Sequence, residues 1–306
     1  MRRLAALIVT ATAPFIAAAQ DGRVDGTLHV HALRIAYPDR VQQITLRDGE
    51  WLLRVGGADF RWARGRLLPV AHLGDAEEFT SFRFYEDYRA GAPTRFAVAA
   101  ELEALLRERT ERDVADAPPR HPGFSDALYG AADRRRAERM MEKVDFLDRT
   151  VWVHPLLVDP LARVEGEVLQ AAGRDPEVAG FVDGLRVVAG FTWRPIAGTQ
   201  SRSYHSYGAA IDLVPRDYRR KFAYWRWAAN AGLDEWWDVE LEDRWLVPQP
   251  IVDAFERHGF VWGGKWLFFD NVHFEYRPEV FLINPRARPS VAWPSVPSPG
   301  ADEPAP

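Results

Sequence analysis

The chain has 306 residues, 47% of them apolar and 27% charged, a composition that folds and can bury a large core in one big domain or two ordinary ones. A formal charge of −5 and the lack of any long Lys/Arg run argue against nucleic acid as a partner. Cysteine is absent, which excludes disulfide staples and a lipid-anchoring cysteine.

Residues 1–19 read as an export signal. Arg2 and Arg3 form a basic start, Leu4 to Ile16 an apolar stretch, and Ala17 to Ala19 a small-residue cleavage site before Gln20. The stretch is too short for a good membrane span. The expectation is an exported protein, periplasmic, extracellular or wall-associated, with no integral span after cleavage.

Residues 20–150 read as an accessory region, β-rich over 23–85 and helical over 94–146. Val41–Leu46, Trp51–Val55 and Phe60–Trp62 alternate like strands, and Asp48-Gly49 and Gly56-Gly57 mark the turns of a meander. His29 and His31 would share one face of a strand, an H-x-H spacing that suits a metal but that chance supplies readily. A helix is expected from Thr94 to about Arg109, with Phe96, Ala99, Leu102, Leu105 and Leu106 on one face. Residues 110–122 read as a loop, and a second, charged helix as running from Ser125 towards Val144. Arg134 to Arg136 and Arg139 would form its solvated face. His72, His121 and His154 each stand alone, as surface or capping residues.

Residues 151–283 carry the chemistry. Asp159 and Pro160 open a helix with Leu161, Val164, Val168, Leu169 and Ala172 on one face and Gly173 after its end. Leu185 to Trp193 reads as a strand that delivers Arg194 into a loop. A second strand over Ala209–Val214 turns Ala210, Asp212 and Val214 towards a cleft and Ile211 and Leu213 into the core. Residues 217–232 look helical, Pro250 to His258 forms a short helix ended by Gly259, and Phe260 to Trp266 leads onward. Residues 284–306 read as a Pro-rich disordered tail.

Two stretches organise this region, Ser203 to Asp212 and Asp270 to Glu275. The first sets His205 seven residues before Asp212 on small residues, and the second sets Asp270 three residues before His273. His205, Asp212 and His273 supply three N/O ligands, the number that leaves a zinc ion one position for water and brings that water's pKa towards about 7. Asp270 is then placed to act as general base and acid, and Arg194 to stabilise an oxyanion. Together these parts describe amide hydrolysis.

The combined pattern S-x-H-x-x-G-x-A-x-D, followed by D-x-x-H-F-E, resembles the zinc peptidases of the D-alanyl-D-alanine carboxypeptidase and L-alanyl-D-glutamate endopeptidase family, relatives of VanY enzymes and phage endolysins. The resemblance spans roughly residues 155–283. It implies zinc held by His205, Asp212 and His273, Asp270 as the catalytic carboxylate, and peptidoglycan stem peptides as substrate. The stretch Trp193–Thr199 is similar to the family's arginine-bearing loop, which favours Arg194 over Arg202. Ser203 and Glu275 become supporting hydrogen-bond partners of the ligands. The usual carboxypeptidase glutamate, often paired with a tryptophan just before the last histidine, is replaced by Asp270 and Val272, which is closer to the endopeptidase branch. The implied fold is α+β: a small mixed or antiparallel sheet with flanking helices forming a zinc cleft, as in hedgehog-related domains. A non-catalytic, zinc-stabilised wall- or peptide-binding module is the rival reading.

Overall fold

The computed structural model describes residues 26–95, 98–108, 117–289, 293, 294 and 296. The export signal over 1–19, Phe96 and most of the expected tail lie outside the described residues. The fold is α+β, with two four-stranded antiparallel sheets, a two-stranded hairpin and helices packed around them.

The chain opens on a helix, α1 (Thr27–Ala36), where strand was expected. Val30, Leu33 and Tyr37 recur at helical spacing and are buried, so this face closes onto the core. His29 and His31, two residues apart on a helix, point in nearly opposite directions. One stacks on Trp62 with ring centroids 5.0 Å apart and the other meets the edge of Trp51 at 5.4 Å, so the H-x-H site does not form. The meander follows as β1 (Val41–Arg47), β2 (Glu50–Val55), β3 (Ala58–Ala63) and β4 (Arg66–Pro69), hydrogen-bonded in chain order.

The expected helix over 94–109 is shorter, α2 (Ala100–Glu108). The expected helix from Ser125 to Val144 splits into α3 (Gly123–Tyr129) and α4 (Arg134–Met140). Gly130 ends α3 in a left-handed conformation at φ 62°, and Asp133 restarts the chain by accepting from the Arg136 N–H. Val144 lies in the hairpin of β5 (Glu142–Phe146) and β6 (Arg149–Val153).

A 3-10 turn at Pro155–Leu157 runs into α5 (Val158–Ala172), so Asp159 sits inside the first turn and His154 does the capping. Asp175 then caps α6 (Pro176–Gly184), a helix the periodicity did not announce. Strand β7 (Leu185–Ala189) ends earlier than expected, because at Gly190 the chain passes so close to Trp152 that a Cβ would lie 2.3 Å from its carbonyl oxygen. β8 (Ala210–Pro215) follows. Of the helix expected over 217–232 only α7 (Trp225–Asn230) forms, since Arg219 and Arg220 adopt positive φ. The chain closes with α8 (Gln249–Arg257), β9 (Phe260–Trp262), β10 (His273–Tyr276) and α9 (Pro278–Ile283). The second sheet has the order β7-β8-β10-β9.

One continuous apolar core joins α1 and the meander to the second sheet, containing Val30, Leu33 and Tyr37 together with Phe255, Phe274 and Ile283. Part of the expected tail packs against this core and a smaller neighbouring cluster. Ala287 is fully buried and Trp293 stacks on Phe281 at 5.0 Å, so residues 284–289 and Trp293 are ordered by packing. Among the described residues no helix is long and apolar enough to cross a membrane.

Candidate metal centre

The site is built on the pairing of β8 with β10. Asp212 stands directly opposite His273, and Ala210 opposite Glu275, so these four side chains share one face. Alanine at 210 leaves room for the larger groups. Ile211 and Leu213, on the other face, are fully buried as the alternation predicts.

His205 arrives from a 3-10 turn, Tyr204–Tyr207, whose first N–H groups are capped by the Ser203 hydroxyl, which accepts from the His205 N–H at 3.3 Å. Gly208 ends the turn at φ 62°. A Cβ there would lie 2.3 Å from Met141 Sδ and 2.6 Å from the His154 backbone nitrogen, so both conformation and space demand glycine. The expected supporting role of Ser203 is thus made through backbone, by fixing the turn that carries the imidazole.

Three side-chain atoms converge. His205 Nε2 lies 3.0 Å from Asp212 Oδ1 and 3.2 Å from His273 Nδ1, and His273 Nδ1 lies 2.8 Å from Asp212 Oδ1. The outer nitrogens are both engaged: His205 Nδ1 is 2.6 Å from the Gly190 carbonyl oxygen, and His273 Nε2 is 3.3 Å from Glu275 Oε1. Each outer nitrogen must donate to its oxygen partner, so in the neutral imidazoles both inward nitrogens present lone pairs. Two lone pairs and a carboxylate oxygen facing one another repel unless a cation lies between them. His205, Asp212 and His273 are the His/Asp/Glu group among the described residues with metal-holding geometry, and an N, N, O donor set with outer partners on both histidines fits zinc.

The charges respond to this crowding. Burial raises the Asp212 carboxyl, but His205 and His273 more than offset it and hold it well below the ordinary range. Burial lowers the His273 imidazole, and hydrogen bonds to Asp212 and Glu275 outweigh that and push it well up. Glu275 is held down by His273, Arg277 and Arg120 against its burial. Asp270 is pushed up to about 6, first by burial and then by the Asp212 charge, with His273 and His205 pulling the other way. It is not among the three convergent residues, yet its charge is coupled to all of them. Its backbone is held tightly: Asp270 N–H donates to the Gly263 carbonyl at 3.0 Å, and a Cβ on Gly263 would come within 2.6 Å of the Asp270 carbonyl oxygen.

The two arginines separate cleanly. Arg202 forms an ion pair with Asp126, donates to the Ala131 carbonyl at 3.1 Å, and lies over Trp193 and Tyr207. Arg194 is exposed, and its side chain makes one long contact, 3.5 Å to the Pro195 carbonyl. Its backbone N–H donates to the Ser206 hydroxyl at 2.9 Å, which pins the loop while leaving the guanidinium free to swing.

Two partners of the site escaped the sequence reading. Arg277, 1% exposed, lies 3.5 Å from Glu275 Oε2 and 2.5 Å from Glu279 Oε1. The alternation Glu275, Arg277, Glu279, running from the end of β10 into the start of α9, was the signal available. Tyr85 donates to Glu275 Oε2 at 3.0 Å from almost two hundred positions upstream, and no local pattern marks it. Burial, followed by the Glu275 charge, pushes its phenol well above the ordinary value, so it keeps the proton it donates.

Residues 197–276 match a family model described as D-alanyl-D-alanine carboxypeptidase, a span that takes in the three convergent residues, Asp270 and Glu275. Arg194 lies just before it. Residues 29–84 match a second model, described as a domain of unknown function. No curated protein and no solved structure matches the chain. The first match supports the peptidase family for this segment and points to a peptidase.

Proposed function

We propose that the protein is an exported zinc-dependent peptidase that hydrolyses amide bonds in the peptide stems of peptidoglycan, of the L-alanyl-D-glutamate endopeptidase or D-alanyl-D-alanine carboxypeptidase type. The observation that carries this reading is the convergence of His205 Nε2, Asp212 Oδ1 and His273 Nδ1 within 3.2 Å of one another, inside the segment that matches the peptidase family. The proposed cleft is the solvent side of the β8–β10 pair.

His205, Asp212 and His273 would hold the ion. When bound, zinc supplies Lewis acidity, polarising a carbonyl and making water more acidic. The Gly190 carbonyl and the Glu275 carboxylate each accept a hydrogen bond from the proton on the outer nitrogen, so that His205 Nε2 and His273 Nδ1 are the nitrogens turned towards the ion. Asp270, with a pKa raised towards neutrality, takes a proton from the attacking water and returns it to the leaving amine. Arg194 brings a mobile positive charge to the oxygen of the attacked carbonyl. Asp270 and Val272 in place of the carboxypeptidase glutamate and tryptophan favour an endopeptidase.

Incubating the zinc-loaded protein with defined muropeptides and weighing the fragments tests this directly. Cleavage between L-Ala and D-Glu, or release of terminal D-Ala, supports the reading and tells the two types apart. No cleavage of any stem peptide by a protein that binds zinc would overturn it. Asp270→Ala should abolish hydrolysis while leaving zinc bound.

A further inference from the structure

The two groups on the outer face of His273, Glu275 and Trp266, are both touched by one residue from the N-terminal part of the chain. Glu275 Oε1 meets His273 Nε2 at 3.3 Å, and Glu275 Oε2 accepts from the Tyr85 phenol at 3.0 Å. The same tyrosine ring stacks on Trp266 with centroids 5.1 Å apart and planes 2° from parallel. Trp266 in turn meets the His273 ring, 5.7 Å away, at a steep angle. Tyr85 therefore touches both of the groups that bracket this imidazole.

Its backbone is held in an unusual state. Tyr85 has φ 50°, a left-handed conformation that bulky residues avoid because the Cβ crowds the following carbonyl. The surroundings enforce it. The Tyr85 carbonyl accepts from the Tyr88 N–H at 2.9 Å, and Arg277 donates to the Arg83 carbonyl. Tyr88 is anchored separately, donating to Glu256 at 2.6 Å and accepting from the Trp262 N–H at 2.7 Å. Strain kept in place by so many contacts is a mark of a site rather than of a passing loop.

We infer that Tyr85 is a positioning residue of the metal centre, acting through Glu275 to keep the His273 Nδ1 lone pair aimed at His205 and Asp212. Without the phenol proton, Glu275 Oε2 keeps only the longer Arg277 contact and the carboxylate is free to turn away from His273. The segment that carries Tyr85 thereby becomes part of the hydrolytic machinery, although Tyr85 lies outside both matched spans. This inference rests on the zinc site proposed above.

The test is the zinc dissociation constant of the full chain, measured by competition with a chromophoric chelator. Glu275→Gln should weaken binding roughly 10- to 100-fold, as loss of an outer partner usually does. Tyr85→Phe retains the ring on Trp266 and should weaken it roughly 3- to 10-fold, one hydrogen bond further out. Combining the two should be no worse than Glu275→Gln alone, because the phenol acts through that carboxylate. Arg54→Ala, an exposed change in the meander that touches neither Tyr85 nor Glu275, should leave zinc affinity unchanged. Wild-type affinity in Tyr85→Phe, full additivity with Glu275→Gln, or an equal loss in Arg54→Ala would each overturn the inference while leaving the peptidase reading intact. A wild-type chain that binds no zinc would overturn both.

Discussion

The two four-stranded sheets have the same size and opposite construction. The meander β1–β4 joins neighbours in sequence through tight turns, and its charges stay at the surface, as in the Arg54–Asp59 pair, where both side chains are more than half exposed. The sheet β7-β8-β10-β9 joins strands separated by long connections, and polar groups on it and on the start of α9 are buried and committed to one another: Glu275 to His273 and Arg277, Arg277 to Glu279, and Glu279 to Tyr37 at 2.8 Å. Exposed pairs contribute at most about 1 kcal/mol each. A buried network is different, because removing one member strands the others without water. The meander is thus a tolerant surface, and the second sheet holds a rigid constellation whose precision depends on every member.

The largest expected effect follows from that contrast. Arg277→Leu leaves Glu275 and Glu279 facing each other without a cation, and chemical denaturation should show a loss of about 3–5 kcal/mol. Arg54→Ala in the meander should change stability by less than about 0.5 kcal/mol. A smaller effect is a matter of pH. His154, beneath the Gly208 turn, accepts from the Leu156 N–H and reaches the Tyr129 carbonyl, and burial pushes its pKa down to about 4. An unfolded imidazole takes up a proton near 6.5 and the folded one does not. The contribution is complete above about pH 6.5 and is lost as pH falls towards 4, by up to about 3 kcal/mol. His154→Asn should flatten the stability profile across that window. The smallest effect compares two glycines. Gly57, in the meander, has φ 85° and nothing within 4 Å of an added Cβ, whereas Gly208 combines φ 62° with a backbone atom at 2.6 Å. Gly57→Ala should cost about 1 kcal/mol from conformation alone, and Gly208→Ala about 2 kcal/mol more. Equal costs would show that the turn carrying His205 is looser than described.

What could be read from the sequence divides along the same line. The meander was legible because its turn residues and alternation are local. The convergence of His205, Asp212 and His273 was legible because metal-ligand chemistry limits the residue types and small residues flank them in a short motif. The helix at Thr27–Ala36 was misread as strand because a short apolar segment fits both periods until its packing partner is known. The break at Gly130 was overlooked because the charged run after it has strong helical propensity on both sides. Tyr85 and the packed stretch at 284–289 were invisible for a different reason: their partners lie far away in the chain, and only tertiary contact gives them meaning.

The decisive measurement is metal content and coordination in the purified chain, by elemental analysis and X-ray absorption at the zinc edge. One zinc per chain with two nitrogen ligands and a carboxylate oxygen from the protein, lost in His205→Ala and in His273→Ala, is the predicted result. A chain that takes up no zinc, or that keeps its full complement with either imidazole removed, would contradict the proposed centre.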